Sequence, residues 1–160
     1  MHACGSWLHW AAMGAFETLL GKMFGSASPH MRRLGFTVVS VHDGVCVGML
    51  PYSSELVGDP TSGVLHGGVV TTLLDTTGGG AVLSALGKPV PLATLDLRID
   101  YLRPSAPGRN LTARVECYKT TYNIAFARGV AYDVHANDPV ASMSATYMLR
   151  TQAFRAPSES

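Results

Sequence analysis

The sequence predicts an antiparallel α+β domain in which a sheet wraps around one long helix. Two observations carry that prediction. A long apolar run from His66 to Leu86 has helical spacing. The chain beyond it changes to a period of two, in segments joined by short turns. One buried helix followed by strands on tight connections is an α+β pattern rather than alternating βαβ units. With 47% apolar and 14% charged residues over 160 positions, the chain has the material for one domain with a real core.

The elements follow in chain order. Trp7, Trp10, Phe16, Leu20 and Met23 recur at helical spacing, so Ser6 to Phe24 reads as an amphipathic helix packed on a core. Residues 1–30 are therefore set apart as an N-terminal helical segment, 31–152 as the main domain and 153–160 as a tail. Ser28-Pro29 marks a break. Leu34 to Leu50 reads as two strands around His42-Asp43-Gly44, whose Asp-Gly step suits a tight hairpin. Val57 to Gly63 is a loop on its turn residues.

The run from His66 to Leu86 is a buried helix by length and spacing. Gly78, Gly79 and Gly80 within it cost about 1 kcal/mol each relative to Ala, which implies close approach of another backbone. Ala93 to Tyr101 alternates strictly between apolar and polar residues, the mark of a strand with one buried face. Pro104 to Asn110 is a turn, and Leu111 to Cys117 is the next strand. Ile124 to Val134 and Val140 to Leu149 supply two more around His135 to Pro139. Ala156 to Ser160 is expected to be disordered.

Charge and cysteine usage exclude several classes. A formal net charge of +1 without a basic stripe argues against a nucleic-acid partner. The stretch Ser6 to Phe24 lacks a basic n-region and is interrupted by His9, Glu17 and Lys22. Neither export nor a membrane location is expected, and the cytoplasm is. Cys4, Cys46 and Cys117 lie far apart, and no Cys/His cluster has metal-ligand spacing. Thiols in a reducing compartment and no metal are the expectation.

Two features could carry chemistry. His66-Gly67-Gly68 opens the long helix, where free N–H groups and the positive end of the helix dipole would meet a carbonyl oxygen gaining charge. The same residues would also serve as a plain helix start with glycine punctuation. Asp75 sits mid-helix between Leu74 and Thr76, where a carboxylate is either hydrogen-bonded and partly exposed or functional. Nine positions separate His66 from Asp75, so a helix would advance about 13 Å and turn a net half-circle between them. One chain then cannot aim Gly67 and Asp75 at one carbonyl. Two antiparallel copies could, which hints at a two-fold dimer with shared sites.

Gly63-Val64-Leu65-His66-Gly67-Gly68-Val69-Val70-Thr71-Thr72-Leu73-Leu74-Asp75 resembles the HGG-x6-D signature of PaaI-like hot-dog acyl-CoA thioesterases, and Ala93 to Pro104 resembles the strand that follows the central helix in that group. The resemblance covers roughly Leu34 to Leu149. It implies a hot-dog fold, an antiparallel sheet wrapped around the helix, and homodimers or dimers of dimers joined edge to edge. It also implies hydrolysis of an acyl-CoA thioester without a cofactor, CoA being part of the substrate.

By resemblance, Asp75 is the general base or nucleophile, the Gly67 amide polarises the carbonyl, and His66 orders the helix start. Thr94 falls where relatives hold the attacking water. Gly68, Tyr101 and Lys119-Thr120-Thr121-Tyr122-Asn123 match positions that contact the CoA substrate, although Lys119 to Asn123 also reads as an ordinary hairpin turn. Asp59 stands nearest to an Asn that many relatives carry before the HGG, and an ionised carboxylate cannot donate the hydrogen bond that Asn would. A pair of carboxylates near one another would share a proton near neutral pH. Two other classes fit the same fold: a non-catalytic acyl-CoA-binding dimer, and a hydratase or dehydratase. The latter usually pairs a catalytic His with Asp at another spacing.

Overall fold

The structure, a computed structural model, describes residues 14–149. Trp7, Trp10 and the 153–160 tail lie outside the described residues. Helix α1 (Ala15–Gly21) runs into a π-helix, Lys22–Ala27, where one helix through Phe24 was expected. Leu20 from α1 is buried in the core, whereas Met23 is exposed.

The break at Ser28-Pro29 opens a second short helix, α2 (Pro29–Leu34), ahead of the first strand. Its signals are local. The Ser28 hydroxyl caps the Met31 N–H, proline occupies the first turn, and Gly35 ends it at φ 71°. The first strand therefore begins at Thr37 rather than Leu34.

Strands β1 (Thr37–His42) and β2 (Val45–Leu50) form the expected hairpin, with Asp43 and Gly44 both at positive φ. The stretch expected to be a loop holds a small hairpin of its own. Strand β3 (Val57–Asp59) pairs with β4 (Val64–Leu65). That pairing delivers the chain to α3 (Gly67–Leu86), with His66 as its N-cap.

The second half builds β5 (Leu92–Tyr101), β6 (Leu111–Thr120), β7 (Ile124–Tyr132) and β8 (Ala141–Leu149). The six-stranded sheet has the order β1-β2-β6-β7-β8-β5, with every neighbouring pair antiparallel. This is the hot-dog arrangement. Its concave face is lined by small residues, Ala113, Ala125, Ala127, Ala131, Ala141 and Ala145 among them, all buried. Small side chains let α3 sit deep in the sheet, with Leu73, Leu74, Ala81 and Val82 fully enclosed. Helix α3 is long and apolar enough to cross a membrane, but most of it is buried inside the protein.

The three helix glycines meet side chains rather than another backbone. A Cβ on Gly78 would strike the Tyr147 hydroxyl, and one on Gly80 would lie 2.8 Å from the Cys46 sulfur. Gly79 faces Phe24 of the π-helix, 3.3 Å from where its Cβ would stand. Burial pushes the Cys46 thiol up to about 12, so it remains a neutral packing group.

Candidate active site

Two clusters lie along α3. The first surrounds Asp75, which is half-buried. Its Oδ1 accepts a hydrogen bond from the Thr94 hydroxyl at 2.8 Å, and its main-chain carbonyl accepts one from Tyr147 at 3.1 Å. Burial first, and then the nearby Asp75 carboxylate, push the Tyr147 phenol well above its ordinary value. Tyr147 therefore stays a neutral donor.

Thr94 reaches Asp75 because β5 is not a regular strand. Leu97, Ile99 and Tyr101 stand opposite Ala145, Met143 and Ala141, the inward positions of β8. Odd-numbered residues thus face the helix there, and unbroken alternation would turn Thr94 outward. The register instead slips between Thr94 and Asp96, and Thr94 stands opposite the inward Tyr147. The bulge carries Leu95, which is 50% exposed where strict alternation implied burial.

The second cluster is the start of α3. His66 is fixed through its backbone, its N–H donating to Leu56 and its carbonyl accepting from Val69, both at 2.9 Å. Its side-chain Nδ1 accepts from the Gly68 N–H at 2.9 Å. The Gly68 amide, carried over as a substrate contact, is thereby committed to the cap. The Gly67 N–H, first of the helix, has no acceptor among the described residues.

The Tyr101 hydroxyl donates to the Gly67 carbonyl at 2.8 Å and lies 2.9 Å from Thr71 Oγ1. A cleft of about 400 Å³ opens beside them, lined by Gly67, Val70, Tyr101, Leu102, Arg103 and Ser105. Its wall is braced by Arg103, whose guanidinium makes a 2.6 Å ion pair with the enclosed Asp133. The hydrogen bond from Arg103 holds the Asp133 carboxyl well below the usual carboxylate range.

Within one chain the two clusters stay apart, since eight positions of helix from Gly67 to Asp75 span about 12 Å. Lys119 to Asn123 sit at the Asp75 end of the sheet, because Thr120 pairs with Ala125, Ala125 with Tyr147, and Tyr147 with Thr94. They form the exposed β6–β7 turn, closed by Thr121 on Ile124, with Tyr122 75% exposed.

Within one chain, Asp59 makes no hydrogen bond to either cluster. Its carboxylate accepts from the Thr61 N–H at 3.0 Å and the Thr61 hydroxyl at 2.7 Å. Hydrogen bonds from Ser62 and Thr61 lower its pKa, opposite to the direction for a carboxyl that shares a proton.

Thr71, Tyr147 and the Arg103–Asp133 pair were not singled out from sequence. Tyr147 had one available signal: a tyrosine at an inward position of a strand needs a partner for its hydroxyl. Among the described residues, no three His, Cys, Asp or Glu side chains gather to hold a metal.

A family model described as the thioesterase superfamily matches residues 62–138. A solved Pseudomonas aeruginosa protein superposes with a TM-score of 0.74 at 39% identity, covering 81% of this chain and 96% of that one. A solved protein from the thioesterase superfamily gives 0.73 at 31% identity, with 82% and 97% covered. The medium/long-chain acyl-CoA thioesterase YigI of Salmonella typhimurium is 29% identical over 149 residues, 82% of this chain and 92% of that protein. A shorter match, 47% identical over 75 residues and 45% of this chain, spans 50% of a Halobacterium salinarum protein named for an expected esterase activity.

Proposed function

The chain belongs to the thioesterase superfamily, and on that premise we propose how it hydrolyses acyl-CoA thioesters to free acid and CoA. The observation that carries the reading is the Thr94–Asp75 hydrogen bond, which holds a half-buried carboxylate by one oxygen and leaves the other for water or substrate. Asp75 takes a proton from water as the hydroxyl oxygen adds to the thioester carbonyl. The resulting oxyanion rests on the Gly67 N–H at the positive end of α3. The C–S bond then breaks, and Asp75 returns the proton to the departing CoA sulfur. Direct attack by the Asp75 carboxylate, with hydrolysis of the anhydride, uses the same residues.

Gly67 and Asp75 of one chain are too far apart to serve one carbonyl, so the site takes Gly67 from one subunit and Asp75 from the other. The free edge of β5 suits that pairing. Antiparallel joining of two β5 strands about their middle sets the Thr94 end of one against the Tyr101 end of the other. The exposed β6–β7 turn, with Lys119 and Tyr122, then serves the CoA moiety. Cys46 and Cys117 are both free thiols, in keeping with a reducing cytoplasm.

A panel of acyl-CoAs with a thiol reagent tests the activity, because only hydrolysis releases free CoA. Asp75→Asn is nearly isosteric and should lower turnover by about 10²–10⁴ while keeping the fold. Wild-type-like CoA release by that variant would remove Asp75 from the chemistry.

A further inference from the structure

We infer that Tyr101 and Thr71 are positioning residues for the Gly67 oxyanion donor, Tyr101 holding the first turn of α3 from the sheet side and Thr71 backing it from the next turn of the helix. The inference rests on the thioesterase reading above and assigns these two hydroxyls a task within it.

The first turn of α3 needs support. Gly67 and Gly68 carry no Cβ, and glycine is a poor helix former because the unfolded chain is so free. An oxyanion donor acts only if it is already aimed, since a donor that must reorganise loses most of its value. The peptide joining Gly67 to Gly68 is held at both ends. Its N–H donates to His66 Nδ1 at 2.9 Å, and its carbonyl oxygen accepts from the Tyr101 hydroxyl at 2.8 Å. The preceding peptide, which carries the free Gly67 N–H, is pinned through its own carbonyl by Val69.

The direction of the hydroxyl protons follows from the distances. Each hydroxyl has one proton to give. Tyr101 gives its proton to the Gly67 oxygen at 2.8 Å. Thr71 can reach the same oxygen only at 3.2 Å but lies 2.9 Å from the Tyr101 oxygen. The favoured chain therefore runs from Thr71 to Tyr101 to the Gly67 carbonyl, each bond polarising the next. A side chain at position 67 would crowd this arrangement, its Cβ standing 3.2 Å from the Tyr101 oxygen. Tyr101 thus acts through the Gly67 backbone, a different role from the CoA contact that family resemblance implies.

The two roles separate kinetically. A CoA contact acts on ground-state binding and appears in KM, whereas aim of the oxyanion donor appears in kcat. Tyr101→Phe keeps the ring and removes only the hydroxyl. It should lower kcat about 10-fold and leave KM for the best acyl-CoA within about 2-fold, because small misplacements of a catalytic group carry such factors. Thr71→Val should lower kcat by about 2- to 5-fold, and Thr71→Ser, which retains the hydroxyl, should restore it.

A Tyr101→Phe enzyme with raised KM and unchanged kcat would overturn the inference in favour of a CoA contact, and unchanged kcat and KM would overturn it outright. If Tyr101→Phe does not fold, the Thr71 pair decides alone: equal kcat for Val and Ser refutes the chain. Failure of the wild-type protein to release CoA from any substrate would instead refute the thioesterase reading itself.

Discussion

Asp75, in the middle of α3, and Asp59, at the turn between β3 and β4, are both acidic residues, yet their surroundings give them opposite fates. Asp75 is half-buried and keeps one oxygen uncommitted, while Asp59 is exposed and spends its carboxylate on its own turn. A carboxyl whose pKa is lowered in the folded protein adds stability above its unfolded value, and that contribution fades as pH falls through the lowered value. Within one chain, then, the hydrogen bonds of its own turn favour the ionised form of Asp59. Asp59→Asn should leave the acid limb of kcat/KM where it stands in the wild type. A limb displaced to lower pH would show that Asp59 comes close to Asp75 in the working enzyme.

Residue identity was legible from sequence where spacing carries the information. The His66-Gly67-Gly68 start and Asp75 sit on one helix, so counting positions places them. Thr71 sits in that helix too, but its role appears only when Tyr101, 30 positions later, lands beside it.

At the scale of elements, α3 is built to be approached. Gly78 faces β8, and the Tyr147 hydroxyl fills the space that a side chain there would take. Gly78→Ala should destabilise the protein by about 2 kcal/mol, the usual cost of overpacking a tight core. A Tyr147→Phe change on the same chain should recover part of that loss, because it removes the atom that clashes, so the two substitutions will not add. Thermal or denaturant unfolding of the two single variants and the double variant measures the coupling. Strict additivity would mean that Gly78 is small for another reason.

The sequence showed that the helix run had to tolerate close neighbours, but not whether backbone or side chain would come close. Strand β5 has the complementary history. Its alternation identified a strand, yet the bulge at Leu95 inverts the face of everything before it, and a periodic pattern cannot reveal its own interruption. The short helix α2 was readable in principle. Ser28-Pro29 and Gly35 are its cap signals, but a proline reads first as a break.

For the whole molecule, the outer edge of β5, which no strand covers among the described residues, is the feature that most constrains behaviour. It runs along the end of the six-stranded sheet with Leu95, Tyr101 and Leu102 all at least 50% exposed. An unpaired edge that carries apolar side chains is a template for another strand. Pairing two β5 strands about a two-fold axis through Leu97 would set Asp96 opposite Arg98 of the partner subunit, twice over, with Arg98 also held by Asp100 of its own chain at 3.1 Å. In such a dimer each site draws Gly67 from one chain and Asp75 from the other, and that division can be measured by complementation.

Gly67→Pro removes the proposed donor: proline is accepted at the first helical position, and His66, at ψ 137°, already has the extended conformation that proline requires before it, so the crowding is limited to the Tyr101 hydroxyl, 3.2 Å from the new Cβ. Asp75→Asn removes the proposed base. Each variant alone should be nearly inactive. When the two are mixed and allowed to exchange subunits, about half the dimers are mixed, and each mixed dimer has one intact site and one doubly altered site. The mixture should therefore recover roughly a quarter of the wild-type rate. Measuring CoA release before and after exchange, with exchange verified by mass-tagged subunits, gives the answer. A mixture that exchanges fully yet stays inactive would place both residues of each site on one chain, and a fully active monomer in sedimentation at assay concentration would do the same.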